Sequence, residues 1–523
     1  MSRARIVVVG AGIGGLTAAA LLAQEGFQVT VLEAQSYPGG SAGTFFHKGY
    51  RFEAGATVAG GFQPNGPHHL VGQRLSMTWK VHQHEPAWVV HLPDRSVRLT
   101  SDNQDVLRAF PHSEFFWQEQ SALADLGWSL SAQGLPWPPT SRAEWMKLIG
   151  TGIRNLPGDL RMAPFALMTT YHWLRLRRLT RDPAFVRFID AQLMISAQTT
   201  ARGANAAYSA TALDLARQGV YHVEGGIGGL ADQLVDRIRG LGGEVKFRQR
   251  AVRIRLEGDR VVGVETVRFR KPDFFPADFV IANVTPWSLD SLLAEGSPPS
   301  LKREAASRKP GWGAFVLHLG VRADALPADL PDHHQIITEM HAPLGEGRSL
   351  FVSMSPVWDT SRAPEGHRAV TVTTHTEVSQ WWKLLAEDKA RYGDRKAAYA
   401  ETMISAIDSV IPGFRRGLAL ALPGTPVTYQ FYTGRHLGMV GGFPQTSLLR
   451  ARSPLTGIPN IRLVGDSIFP GQSTAGVTLG AVRVFEDVCR RLPVPPSRAV
   501  YRPVDVSEDE LAVAPALPEM EMA

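Results

Sequence analysis

The chain has 523 residues, 44% of them apolar and 20% charged, which is too long for one small core and ordinary for a globular protein, so two to four domain-sized units are expected. Its net charge of +6 fits either a basic surface for anionic lipid or mere base composition of the gene. No zinc-finger spacing, basic-region heptad or aromatic RNA-binding signature accompanies that charge, so no nucleic-acid partner is expected. The single cysteine, Cys489, excludes an intramolecular disulfide and any multi-cysteine metal or iron–sulfur site. No stretch reaches the roughly 18 uninterrupted apolar residues of a spanning helix.

In chain order, Arg5-Ile6-Val7-Val8-Val9 is a continuous β-branched run, the pattern of a parallel strand buried on both faces. Leu16, Ala19, Ala20, Leu22 and Ala23 then give a helix with an apolar face that ends at Gly26, and residues 29–32 resume as a strand, completing a βαβ unit. Arg3, Arg5 and the small residues 18–20 imitate a secretory leader, but its removal would discard Gly10, Gly12 and Gly15. No signal peptide is expected, and the protein is placed in the cytoplasm or peripherally on the cytoplasmic membrane face.

Residues 75–220 are rich in Trp, Phe, Met and Pro and read as mostly helical, with helices over 144–156 and 164–180. Strands are expected at 252–256, 261–267 and 278–283, then at 313–322 and within 349–376, with a helical stretch over 378–412. The fold class is therefore α/β. A Rossmann-like domain is assembled from 1–72, 220–290 and 448–492. It surrounds an inserted mixed substrate domain made of a helical, membrane-facing part at 73–219 and a second part at 291–447. A disordered tail is expected at 493–523.

Three glycine-bearing segments carry the chemistry. Gly10-Ala11-Gly12-Ile13-Gly14-Gly15 follows a strand and opens a helix: Gly10 permits the tight turn, Gly12 admits a pyrophosphate close to the backbone, and Gly15 lets helix and strand approach. Glu33, at the end of the second strand, suits a ribose 2′-hydroxyl. This motif does not separate NAD from FAD. Pro38-Gly39-Gly40-Ser41-Ala42-Gly43-Thr44 reads as a second loop wrapping the same dinucleotide. Near the other end a strand runs into Gly465-Asp466, followed by Pro470-Gly471-Gln472 and a helix from Thr474. An Asp there can bind a ribityl hydroxyl, and the helix N-terminus can stabilise a reduced isoalloxazine.

Taken together, these segments resemble the phytoene desaturase and carotenoid isomerase family of flavoproteins, as does Val223-Glu224-Gly225-Gly226-Ile227-Gly228-Gly229-Leu230 in the middle of the chain. The resemblance implies a glutathione reductase/amine oxidase type of FAD-binding domain, bound FAD, a long apolar carotenoid substrate, quinone or oxygen as electron acceptor, and attachment to a membrane surface. It places Gly10, Gly12, Ile13, Gly14, Gly15, Glu33, Gly40, Ser41, Val252, Gly465, Asp466, Pro470, Gly471 and Val477 at the cofactor. Ser41 departs from the Arg that many of the wider flavin amine oxidases carry after the double glycine. Gly465 to Gln472 looks more like the carotenoid isomerase and 3,4-desaturase branch, whereas Ser473-Thr474-Ala475-Gly476-Val477 departs from the isomerase form.

These features favour a 3,4-type desaturase acting on a partly processed C40 carotenoid, with a redox-neutral cis–trans isomerase as the alternative. Another amine oxidase-type activity and a non-catalytic isoprenoid-binding protein are the remaining readings. No acid–base triad or metal set is visible. His68-His69 and His333-His334 read as surface histidines in loops, and residues 165–181, an apolar-aromatic run followed by Arg175, Arg177, Arg178 and Arg181, read either as a membrane-docking segment or as a core helix with a solvated basic end.

Overall fold

The computed structural model describes residues 3–155 and 158–493. The tail expected from residue 493 lies, from residue 494 on, outside the described residues.

A five-stranded parallel sheet takes its strands from three distant stretches of chain, in the order Ile461–Leu463, Phe279–Ala282, Arg5–Val9, Gln28–Leu32, Glu244–Lys246. Its β-branched strands are buried because helices and an antiparallel ribbon, with Ile254, Val261 and Val264, pack on it in one core. The helix Ile13–Gln24 is buried from Ile13 to Ala23 and not on one face alone. It is clamped by the helices Gly229–Gly240 and Thr474–Arg491, which explains a run of small residues, Ala18-Ala19-Ala20, with no polar side. Cys489 on the last helix is half-buried against this core.

A three-stranded antiparallel ribbon, Arg250–Glu257, Arg260–Arg268 and Lys271–Pro276, leads back into that sheet. The second large element is a seven-stranded sheet in the order Leu418–Gly424, Trp312–Arg322, His367–Glu377, Ser349–Met354, His333–Ile337, Trp88–His91, Ser96–Leu99. Two sequence expectations fail here. The stretch read as mostly helical contributes the strands Trp88–His91 and Ser96–Leu99, each too short for its alternation to register. His333-His334, read as loop, opens a fully buried strand paired in parallel with Trp88–His91. Tertiary pairing overrides local composition in both.

Helices pack on this sheet around Phe110, Phe116, Trp173, Phe185 and Phe188. Asp182 begins one of them, Pro183–Ala197, by accepting the Ala184 and Phe185 N–H groups. The expected helix over 164–180 is instead two, Gly158–Leu167 and Thr170–Leu176, with Thr169 capping the second. Trp381, Met403 and Ile407 belong to a further core that packs with Phe315, Leu317, Val352 and Val370 of the sheet.

Candidate functional site

The site begins where the first strand stops. Gly10 adopts φ +94°, a region closed to most side chains, and its N–H donates to the Leu32 carbonyl at 2.8 Å. Gly12 stands at the N-cap of the next helix and offers no capping side chain, so the first N–H groups of that helix are left for an anion. Asn283, at the end of Phe279–Ala282, fills the space behind: its amide donates to the Gly10 carbonyl at 3.4 Å. A Cβ on Gly15 would lie 2.6 Å from that carbonyl oxygen and 2.9 Å from the Asn283 Cβ. Asn283 Oδ1 would stand 2.7 Å from a Cβ on Gly465, so this one side chain packs the first glycine turn against the C-terminal segment.

Glu33 is buried at the mouth of the turn. Its carboxylate accepts the Ala11 and Gln35 N–H groups, both at 2.8 Å, and burial raises its pKa against the lowering effect of those bonds. The second glycine loop docks on the first: Gly39 N–H donates to the Ala11 carbonyl at 2.8 Å, and Gly12 bridges Gly39. Val252 is the extra residue of a β-bulge between the pairs Ala251–Thr266 and Arg253–Glu265, which turns it out of the ladder and leaves it half-exposed toward the cavity.

On the opposite wall Asp466 pairs with Arg435 at 2.9 Å, and the same guanidinium donates to the Met439 and Gly441 carbonyls. This cation was not legible in the sequence. The Ser473 hydroxyl caps Thr474–Arg491 by accepting the Gly476 N–H at 3.0 Å.

These groups line one continuous cavity of about 1460 Å³, beyond the roughly 300–1,000 Å³ that suits a single drug-sized ligand. Gly10, Gly12, Ile13, Gly14, Glu33, Gly40, Ser41, Val252, Gly465, Asp466, Pro470 and Val477 all face it; Gly15 and Gly471 stand behind the lining. Past Asp466 comes a polar junction of Gln198, His375 and Gln472, with Gln198 Nε2 at 3.2 Å from His375 Nε2 and burial holding the imidazole down to about 4. Beyond it the walls turn apolar: Trp128, Leu130, Leu148, Met162, Ile195 and Phe351. Gln472 closes the C-terminal motif, whereas His375 and Gln198 stood in none.

Of the histidines read as surface groups, His68, His333 and His334 are buried and His69 is half-buried. His68 stacks on Phe62 inside a helix, its pKa pushed down to about 3, and His333 and His334 lie within the sheet. Among the described residues no three His, Cys, Asp or Glu side chains converge to hold a metal. Of the segment read as either membrane-docking or core, Trp173 and Leu174 are fully buried, which assigns that turn to the core. The outward apolar stripe lies instead on the helix Arg142–Asn155, where Trp145, Met146, Ile149 and Ile153 are exposed.

The glycine cradle, the uncapped helix start and the buried acid fit a dinucleotide, and the cavity leaves room for a second, apolar occupant. The family described as flavin containing amine oxidoreductase matches residues 13–488. The chain is 30% identical to prolycopene isomerase 1, chloroplastic, of an Oncidium hybrid cultivar, covering 93% of this chain and 84% of that protein. It is 23% identical to a neurosporene-forming phytoene desaturase of Cereibacter sphaeroides, covering 94% and 95%. An oxidoreductase from Methanosarcina mazei shares the fold, with a TM-score of 0.63 at 17% identity over 92% of this chain and 100% of that one. The chain is thus an enzyme of flavin amine oxidase-type fold with FAD as its cofactor, and it belongs to the carotenoid desaturase and isomerase family of flavin oxidoreductases.

Proposed function

We propose that the protein is a carotenoid cis–trans isomerase that takes a long polyene from a membrane into the apolar end of the cavity. The observation that carries this reading is the likeness over nearly the whole chain to prolycopene isomerases, at 28–30% identity against 23–27% for phytoene desaturases. Bound FAD supplies the redox-active ring beside which the polyene is rearranged. The chain's own part is positional: the glycine turn, Glu33 and Asp466 hold the dinucleotide, the apolar walls align an uncharged chain and exclude water, and Gln198, His375 and Gln472 mark the boundary between the two.

Entry from a membrane is supported by the helix Arg142–Asn155. Its Ile149 and Ile153 are 59% and 67% exposed on one stripe, while Leu148 and Gly152 of the same helix line the cavity. Leu167, 77% exposed, also lines it, so the exposed apolar face and the cavity mouth coincide. The exposed Arg175 and Arg178, on and beside the helix Thr170–Leu176, suit anionic headgroups. Among the described residues no helix is long and apolar enough to cross a membrane.

A second reading, 3,4-desaturation with quinone or oxygen as acceptor, draws on residues 473–477, which depart from the isomerase form. One experiment separates the two. FAD-loaded protein is incubated with vesicles carrying a poly-cis C40 carotene, and the extracted pigment is analysed by absorbance and mass. An all-trans product of unchanged mass is expected; a product lighter by two hydrogens overturns isomerisation in favour of desaturation.

A further inference from the structure

A buried run of histidines sits between the cavity and the outer surface, and nothing above uses it. At the cavity wall Thr57 Oγ1 accepts from Ser353 Oγ at 2.7 Å, and Ser353 Oγ meets His333 Nδ1 at 3.0 Å. The His333 ring lies 4.4 Å from that of His84, centroid to centroid and nearly perpendicular; both Nε2 atoms are buried without a partner. His84 Nδ1 is 3.3 Å from Asp332 Oδ2, and its ring is 5.9 Å from that of His222. His222 Nε2 meets Asp359 at 2.7 Å, and Asp359 accepts from the hydroxyl of exposed Ser361 at 2.6 Å.

We propose that Thr57, Ser353, His333, His84, His222 and Asp359 form a proton path joining the cavity to the surface at Ser361. The chemical need is plain: two-electron changes at a buried cofactor move protons as well as electrons, and apolar walls carry none. Each hydroxyl can take a proton on its oxygen as it gives up its own, and each imidazole can take one on one ring nitrogen as it gives one up from the other, so one proton entering at one end releases one at the other and none of these groups changes its net state. Burial keeps the His333 imidazole well below its ordinary range and therefore neutral near pH 7, with one N–H and one free lone pair. The path crosses two gaps without a hydrogen bond, His333 to His84 and His84 to His222, and the orphaned Nε2 atoms of His333 and His84 border the first.

The charged groups around the path are compensated. Asp332 is held by Arg368, which donates to the Ser355 carbonyl at 2.7 Å, and Asp359 also accepts the Gly225 N–H. His334 and His91, hydrogen-bonded to each other at 3.0 Å, are joined to neither Ser353 nor His84 and so form no link of the path. His82 and Glu224 pair at the surface near Trp358, which covers His222.

The test uses FAD-loaded protein, reduced with light in weak buffer and mixed in a stopped flow with ferricyanide, an oxidant that takes electrons but no protons. Flavin absorbance reads the electrons leaving, and a pH-indicator dye reads the protons. The two traces are expected to coincide in the unmodified protein. In His333→Leu, and separately in Thr57→Val, the dye trace is expected to lag at least tenfold behind an unaltered flavin trace, while His91→Phe behaves as the unmodified protein. Coincident traces in both path variants overturn the proposal, and so does an equal lag in His91→Phe. No polyene is needed, so the outcome is independent of the isomerase reading.

Discussion

The two ends of the cavity are built from different materials. The dinucleotide end is backbone: glycines at fixed spacing, an uncapped helix start and two carboxylates, with Asn283, 273 residues from Gly10 in the chain, wedged between that turn and Gly465. The apolar end is side chains: Leu, Met, Trp and Ile from helices and Phe351 from a sheet, without any fixed spacing. A backbone-built site tolerates almost no added atom, whereas a side-chain-built one trades one apolar group for another at little cost. Substitutions at the two ends should therefore differ in kind as well as in size.

The largest effect is expected at Gly15, which touches no ligand. Replacing it by Val drives a Cβ to 2.6 Å from the Gly10 carbonyl oxygen, backbone that has no room to retreat because Asn283 stands behind it. A loss of about 3 kcal/mol in the geometry of the turn is expected, equivalent to roughly 100-fold or more in FAD affinity. The protein should purify colourless, and FAD titration followed by fluorescence quenching measures the loss. A yellow, stoichiometrically loaded Gly15→Val protein would contradict a backbone-built end.

The same contrast explains what could be read from the sequence. Gly10, Gly12, Glu33, Gly40, Ser41 and Gly465-Asp466 were legible because local spacing encodes a backbone shape, and all of these face the cavity. Asn283 and Arg435 were not, because each acts on a segment far away in the chain: Arg435 reaches Asp466 only once the fold has closed. His333 was misread because a polar pair beside Pro331 and Asp332 looks like a loop, and only its pairing with Ser349–Met354 and Trp88–His91 makes it strand. The helix Arg142–Asn155 was expected over 144–156, but its outward apolar stripe was not, since such a stripe reads the same whether it meets a core or a lipid.

At the apolar end a smaller effect is expected from a larger chemical change. Ile149→Glu places a charge on the exposed stripe, far from FAD, and should leave FAD content and melting temperature unaltered. Its partition onto vesicles of phosphatidylcholine and phosphatidylglycerol should fall about 30-fold, the roughly 2 kcal/mol of one buried isoleucine. Flotation measures this. Undiminished flotation, or a matching loss of FAD, would break the separation between the two ends.

The smallest effect concerns pH and the sheet rather than either ligand. His318 is buried between Phe45 and Phe52, its Nδ1 without a partner and its pKa lowered from 6.5 to about 3. In the unfolded chain the imidazole protonates near 6.5, and in the folded chain only near 3, so between those values unfolding takes up a proton. The stability that this neutral ring contributes is complete above pH 6.5 and is lost as pH falls toward 3, by at most about 1.4 kcal/mol per pH unit. His318→Phe, which keeps the aromatic contacts and removes the titrating group, should change stability at pH 8 by less than about 1 kcal/mol, as volume-conserving swaps do. It should flatten the decline between pH 6 and 4.5 by roughly that slope, read from urea unfolding at each pH. An unchanged slope would mean that the ring reaches water in the folded protein and that this side of the sheet is less tightly closed than the glycine turn.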